Sequence, residues 1–340
     1  MAAPRTICQV LAGAESGGLE RHFADLCNAL AERHQVTAVA HPMHAAALGE
    51  RVRFVPLELS GARFDPRLLA RLHRVLRSAA PDIVHTHANK ATTMVALMKP
   101  LLPACFVATL HNAKSRPWMF RGCDAVISVS RVLAERLPVR RVEVIPNGMA
   151  PPAPVDPARV AAVREMLGAA PLVLATGRLV HAKGFDVLLA AWRDVPAQLR
   201  IAGEGPQRER LARMIRSGRL EDRVRLVGHR DDVDVLMEAA DLLVLPSRRE
   251  GFPYVLLEAL HHRLPIVATR VAGALDVLPS RWLVEAGAAA ALGAAVNGAL
   301  SDRASLRADF RGLWAEATEA FGLTTMVRRT ESLYRRLLHG

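Results

Sequence analysis

Residues 246–270 read PSRREGFPYVLLEALHHRLPIVATR, and this stretch settles the class of fold. The run just before and into it, Asp241–Pro246 (DLLVLP), is apolar and bounded by turn formers, as a buried parallel strand is. Val255–His262 (VLLEALHH) has helical apolar spacing, and Pro253 suits the first turn of that helix, where a missing N–H costs nothing. Glu250 therefore falls in the loop after the strand, while Glu258 projects from the helix more than a turn in. Unpaired N–H groups of the first helical turn point back toward Glu250. A helix N-terminus at the carboxyl end of a parallel strand binds anionic ligands, and a carboxylate on each side adds acceptors for hydroxyl groups. The pattern predicts a sugar-nucleotide site in an α/β fold.

Outward from this stretch, short apolar runs alternate with amphipathic ones in both halves of the chain. RTICQVLAG, QVTAVAH, VRFVPL, PDIVHTH, ACFVATLHN, CDAVISVS and RVEVIPNG are expected strands of the first half, separated by helical segments such as LERHFADLCNALAERH. PLVLATG, QLRIAGEGP, RVRLVGH, DLLVLP, PIVAT and WLVEAG repeat the pattern in the second half. Between them PNGMAPPAPVDP, residues 146–157, places five prolines within twelve positions and reads as a stiff linker. The expected organisation is an amino-terminal Rossmann-like domain over 1–150 and a second over 151–318. A terminal helical segment, 319–340, follows, and Gly322–Leu338 within it is long and basic.

Loops after strands should carry the function. The first, Ala14–Gly18 (AESGG), ends in Gly17 and Gly18, which would let the backbone approach a ligand while a helix starting near Leu19 aims its N–H groups at a phosphate. It is not a GxGxxG fingerprint, which counts against a dehydrogenase. His111 ends the apolar run FVATL, where a neutral imidazole could hydrogen-bond a substrate hydroxyl, whereas His85 reads as structural. Arg178 and Lys183 bracket a strand-to-helix loop and can grip a diphosphate from two sides. Lys183 is the only lysine after Lys114, in a chain that otherwise writes its cations as arginine. Asp232 and Asp234 form an Asp-x-Asp, but they stand where a helix begins, so capping by Asp231 or Asp232 is the better account than a metal.

Composition limits the partners. The 340 residues are 51% hydrophobic with a mean hydropathy of +0.15, enough for two cores. No apolar run reaches the roughly 18 residues needed to span a bilayer, and MAAPRTICQV lacks the marks of a secretory signal, so a cytoplasmic protein is expected. Four scattered cysteines, Cys8, Cys27, Cys105 and Cys123, suggest neither a zinc knuckle nor a disulfide frame. The net charge is +12, and residues 1–150 hold 19 Arg and Lys against 11 Asp and Glu. Aromatics are only 4% and are not interleaved with basic clusters, which argues against nucleic acid. For the net charge, an anionic membrane face or glycolipid ranks first as partner; Arg67, Arg71 and Arg74 share one face of the helix DPRLLARLHRVLRS, for which a plain solvated face is the default reading and contact with anionic lipid headgroups the alternative.

GRLVHAKGFDVLLAAW, AGEGP, DLLVLPSRREGFPYVLLEAL and IPNG, with this spacing, resemble the GT-B fold retaining glycosyltransferases of family 4, and the likeness covers nearly the whole chain. It implies two Rossmann-like domains facing a central cleft, with the acceptor bound by the first, the nucleotide sugar by the second, and the terminal helix crossing back onto the first. Arg178 and Lys183 would hold the donor diphosphate. Glu258 would accept from the ribose hydroxyls, and Glu250, with the backbone around Gly251 and Phe252, would hold the donor sugar. Gly17 and Gly18 would leave room for diphosphate and sugar, and His111 would line the sugar pocket from the amino-terminal side. Arg178, Lys183, Glu250 and His111 would be the groups nearest the chemistry. The resemblance implies neither a bound metal nor a cofactor beyond the donor, UDP- or GDP-sugar first. Where the family often has Gly-Gly and a glutamate, this chain has Ala272-Gly273-Ala274 and Asp276. The expected activity is transfer of a hexose, with retention, to a cell-envelope glycan or glycolipid of lipopolysaccharide or exopolysaccharide type. The alternatives are a nucleotide-sugar-binding protein without turnover and a nucleotide-sugar epimerase of similar fold.

Overall fold

A computed structural model describes residues 4–15, 17–113, 117–167 and 170–339; Ser16 of the first glycine loop and Lys114 lie outside the described residues. The chain divides into two compact units, one of residues up to Met149 together with those from Phe321, the other of Ala150–Ala320.

In the first unit seven parallel strands are β1 (Thr6–Leu11), β2 (Gln35–Ala40), β3 (Val52–Pro56), β4 (Ile83–His87), β5 (Cys105–Leu110), β6 (Ala125–Ser128) and β7 (Val142–Val144). They are ordered β3-β2-β1-β4-β5-β6-β7. The helices are α1 (Gly18–Ala31), α2 (Pro66–Ala79), α3 (Ala88–Met98) and the short α4 (Arg131–Ala134). Strand centres are continuous runs of Ile, Val and Ala because both faces of such a sheet are covered. Ile7, Val10, Val84, Val107 and Val126 are at most 1% exposed.

In the second unit α5 (Pro157–Leu167) precedes β8 (Leu172–Thr176), α6 (Phe185–Ala191), β9 (Gln198–Ala202), α7 (Arg208–Ser217), β10 (Val224–Gly228), α8 (Val233–Ala239), β11 (Leu242–Leu245), α9 (Tyr254–His261), β12 (Ile266–Thr269), α10 (Ala272–Val277), β13 (Leu283–Val284), α11 (Ala289–Ser301) and α12 (Arg303–Ala320). Its six strands are parallel and ordered β10-β9-β8-β11-β12-β13. Each sheet thus repeats one plan: the first three strands run outward from the middle, and the fourth returns to the other side of the first. Loops after the first and fourth strands therefore lie side by side at the reversal, where open α/β sheets bind ligands.

The closing helix α13 (Leu323–His339) belongs to the first unit. Met149 and Gly322 form a parallel bridge, and Met326, Val327, Leu333 and Tyr334 join the core made by Ile7, Leu11, Phe23, Leu26 and Leu30.

Three local readings change. Asp232 does occupy the N-cap position of α8, but its carboxylate makes no capping bond. Instead it accepts from Arg230 Nε and Nη2 at 2.8 and 2.7 Å and from Arg159 Nη2 at 3.2 Å, because two guanidinium groups outcompete one backbone N–H. Pro253 is the N-cap of α9, one place before its first turn, and α12 is a helix that the sequence reading left unassigned.

Candidate functional site

In the second unit, the loops after β8 and β11 meet because their strands are neighbours. The Arg248 amide donates to the Ala182 carbonyl at 2.8 Å, tying one loop to the other. The Arg248 guanidinium grips Asp186, the second residue of α6, through two bonds of 2.6 and 3.0 Å and also donates to the His181 carbonyl at 3.0 Å. Burial alone would raise the Asp186 carboxyl, but the bonds from Arg248 outweigh it and hold the group below the usual carboxylate range. Gly184 makes the close approach possible: its φ is +69°, and a Cβ there would overlap the Pro246 carbonyl oxygen.

This strapping brings two of the expected residues into contact. Lys183 Nζ donates to Glu250 Oε1 at 2.5 Å, and Ser247 Oγ donates to the same oxygen at 2.9 Å. Ser247 is itself buried, and its carbonyl accepts from Thr269 Oγ1 at 2.5 Å, so the Glu250 side of the pair is held by the ends of β11 and β12. Both charged side chains keep some exposure, 22% for Lys183 and 13% for Glu250, so a solute can reach the pair. Gly251 and Phe252 are buried behind it. A Cβ on Gly273, at the start of α10, would stand 2.8 Å from the Gly251 carbonyl and the Phe252 Cα, so the glycine of the Ala272-Gly273-Ala274 sequence supports that loop from below. Glu258 is half-buried on α9 while its neighbours Val255, Leu256, Leu257, Ala259 and Leu260 are buried. Arg178 lies exposed in the loop after β8. Asp234 takes no part in an acidic pair with Asp232; it accepts from His262 Nε2 at 2.8 Å.

The first unit holds the other expected residues. Gly17 is the N-cap of α1, with an extended φ of 167°, and both Gly17 and Gly18 are exposed. A Cβ on Gly17 would meet only Glu20 Oε2, at 3.4 Å, so the chain itself does not require glycine there. His111 follows β5 and is 8% exposed. It belongs to a buried polar cluster that sequence reasoning did not assemble. His111 Nε2 lies 3.4 Å from His87 Nδ1, His87 Nε2 lies 2.8 Å from Gln9 Oε1, and Gln9 Nε2 donates to Tyr334 Oη at 3.2 Å. Tyr334 Oη is 2.6 Å from His85 Nδ1, whose Nε2 is 2.7 Å from Thr109 Oγ1, so His85 is structural, as read. His22 of α1 stands edge-on to His111 with ring centres 4.8 Å apart. Burial pushes His22 down to about 4, against a smaller opposing pull from Asn147, and burial with His22 nearby pushes His85 down to about 3. Burial and neighbouring imidazoles put His87 and His111 well below the ordinary range. All four rings are therefore neutral at pH 7.

Among the described residues, His22, His87 and His111 form the group close enough to share a metal, with one ligating nitrogen each within 4.8 Å of the others. Alternation along β4 was the available sign: His85 and His87 share one face with Gln9 of β1, its register partner. Nothing local marked His22 or Tyr334.

Residues 16–151 match the model of Glycosyltransferase Family 4, and residues 170–302 match that of Glycosyl transferases group 1. The chain is 30% identical over 275 residues to the lipopolysaccharide core biosynthesis glycosyltransferase LpsE of Rhizobium meliloti, covering 76% of this chain and 77% of that one. The chain belongs to the family 4 glycosyltransferases. Solved structures share the fold, among them the following two. A Rickettsia africae glycosyltransferase superposes with a TM-score of 0.86 at 20% identity over 99% of each chain. Anabaena HepE in complex with UDP-glucose superposes with a TM-score of 0.85 at 20% identity, over 97% of this chain and 99% of that one. The architecture is GT-B, two Rossmann-like units with a closing helix that returns to the first. Among this family's members the chain is a glycosyltransferase related to lipopolysaccharide core enzymes.

Proposed function

We propose that the protein transfers a hexose, with retention of anomeric configuration, from a nucleotide diphosphate sugar to a cell-envelope glycan or glycolipid. The observation that carries this reading is the Lys183–Glu250 contact at the β8/β11 reversal, a cation and an acceptor already placed on one another where an α/β sheet binds its ligand. A donor diphosphate displaces Glu250 from Lys183 and takes the charge of Lys183 and Arg178; the freed Glu250 oxygen accepts from sugar hydroxyls. The acceptor oxygen bonds to the anomeric carbon as the bond to the diphosphate breaks, and the acceptor proton passes to the departing diphosphate oxygen. Arg178 and Lys183 stabilise the charge growing on that leaving group, so the step needs no metal. Glu258 holds the ribose, the backbone at Gly251 and Phe252 shapes the sugar site, and Gly17, Gly18 and His111 supply the first unit's share of substrate contacts.

The donor reading is supported by HepE, a relative in fold that is known with UDP and with UDP-glucose. The acceptor reading is supported by LpsE and by the basic first half of the chain. No described helix is long and apolar enough to cross a membrane. Arg67, Arg71 and Arg74 are exposed together on α2, over buried Leu72 and Leu76, which supports peripheral contact with an anionic cytosolic membrane face. Replacing the three arginines by glutamine should abolish sedimentation with anionic vesicles; unchanged sedimentation rules the contact out.

Thermal-shift screening against UDP-, GDP-, ADP- and dTDP-sugars identifies the donor, since a ligand at 100 times its Kd adds about 2.7 kcal/mol. Transfer of the labelled sugar to a truncated core glycan, with the product's anomeric configuration read by NMR, tests the reaction. Binding without transfer across an acceptor panel would leave a sugar-nucleotide-binding protein, and isomerised donor without acceptor would make it an epimerase.

A further inference from the structure

The buried cluster of the first unit has a direction. A carboxamide oxygen can only accept, so at 2.8 Å it is His87 Nε2 that carries the proton and donates to Gln9 Oε1. His87 is neutral, so its Nδ1 holds a lone pair, and the partner facing it at 3.4 Å, His111 Nε2, must be the donor. At the other end Gln9 Nε2 donates to Tyr334 Oη, the Tyr334 hydroxyl donates to His85 Nδ1, and His85 Nε2–H donates to Thr109 Oγ1. The His87 and His111 protons follow from the orientation of the Gln9 amide, and a reversed amide would move both; the Tyr334, His85 and Thr109 directions are those compatible with that orientation.

We propose that Tyr334, Gln9 and His87 are positioning residues that lock His111 as the tautomer protonated at Nε2, so that its Nδ1 is offered as an acceptor to a hydroxyl of the sugar substrate. The proposal rests on the reading of the chain as a sugar transferase. It narrows the substrate to a sugar with a free hydroxyl at the position facing His111. An ionised uronate carboxylate has no proton to give that lone pair, and a deoxy position has neither proton nor oxygen. It also gives the closing helix a task beyond packing, because Tyr334 of α13 holds Gln9 of β1, 325 residues away. His22, which stands against the rings of both His87 and His111, and Phe23, which stands against His87, supply walls that keep the imidazoles from rotating.

The test is long-range 1H–15N correlation spectroscopy of the full-length protein with 15N-labelled histidine near pH 7.5, His111 being assigned with His111→Asn. Wild type is expected to show His85, His87 and His111 all protonated at Nε2 and bare at Nδ1. Gln9→Leu should turn His111 into a mixture of tautomers, and Tyr334→Phe should move it in the same direction. A His111 protonated at Nδ1 in the wild type overturns the proposal. So does a His111 pattern unchanged in both variants, or one that shifts to a metal-bound position with one equivalent of Zn2+. With the donor in hand, Gln9→Leu should raise KM for the sugar substrate about tenfold with kcat changed less, as for a lost ground-state contact. Unaltered KM removes the substrate half of the proposal. Should no transfer be found at all, the spectra still decide the tautomer, so failure of the relay and failure of the transferase reading stay distinct.

Discussion

Lys183 and Glu250 are each other's partners before any ligand arrives, so a substitution at either acts on two things. Lys183→Ala leaves Glu250 with its Ser247 bond but without its cation, on a side chain only 13% exposed. A partly buried carboxylate that loses its counter-charge costs on the order of 1–3 kcal/mol, reduced here by the remaining access to water. The same change removes a phosphate cation, and transfer should fall on the order of 10²-fold or more. Glu250→Gln keeps the side chain's size and its acceptor oxygen but frees Lys183. It should therefore bind the free nucleoside diphosphate as well as wild type or better while losing sugar transfer. Isothermal titration with the nucleoside diphosphate and with the intact donor separates the two effects; equal loss of both ligands would sink the division of roles. Gly184→Ala should destabilise by roughly 1–3 kcal/mol in urea, since alanine at φ +69° adds backbone strain to the overlap with the Pro246 carbonyl.

Among the elements, α13 is the one whose position in the chain says least about its position in the fold. Its buried Met326, Val327, Leu333 and Tyr334 close the core over α1. Fully burying such side chains is worth about 1.5–3 kcal/mol each, so the four together match the whole stability of an ordinary domain. Ending the chain after Ala320 should abolish cooperative melting of the first unit while the second, complete in Ala150–Ala320, still melts; retained melting of both would show that α13 is dispensable. This is also where the sequence runs out. The βα alternation was legible because buried parallel strands are continuous apolar runs between turn residues, and the meeting of Lys183 with Glu250 was within reach of the sequence because both lie in loops that follow strands. The strapping of Arg248 to Asp186 and the bond from Gln9 to Tyr334 were not, because their partners are 62 and 325 residues apart and only the folded sheet brings them together. Asp232 misled for a different reason: its position fits a cap, but the neighbouring Arg230 takes its carboxylate through two bonds, and Arg159, 73 residues away, adds a third. Helix α12 has an irregular mixture of charged and small residues along its length, which blurs the apolar stripe that marks α13.

At the scale of the whole molecule, the two units repeat one strand order but differ in how acid should undo them. In the first, His22, His85, His87 and His111 are buried and neutral, with pKa values held below the ordinary 6.5, at about 4 for His22 and about 3 for His85. The unfolded chain therefore binds more protons than the folded one below pH 6.5, and stability must fall as pH falls from there toward 4. His22 and His85 each cost roughly 2 kcal/mol at pH 5, and His87 and His111 act in the same direction, a large part of the stability of a domain. Asp25, raised by burial, works the other way but is a single group. The second unit's shifted carboxylates are also lowered, so acid destabilises them in the same sense, but in a lower pH window. Burial would raise Asp186 and Asp241, but bonds from Arg248 and Arg164 more than compensate, and Asp232 is lowered chiefly by its bond from Arg230. Their stabilisation is complete above the ordinary carboxylate value of 3.8 and is lost only as pH drops below it. His261 of the second unit shares the imidazole behaviour, lowered by burial and by His262. Acid unfolding should then occur in two steps, the first unit between pH 6.5 and 4 and the second below. Buried Trp192 and the nearly buried Trp282 belong to the second unit, whereas Trp118 of the first is 44% exposed. Far-UV circular dichroism should therefore lose its first share near pH 5 while tryptophan emission stays native, and hydrogen exchange at that pH should be fast in β1, β4, β5 and α13 and slow in β8 and β11. A single coincident transition by both probes would mean that the histidine cluster is hydrated or protonated in the folded protein and is not the neutral, dry network described above.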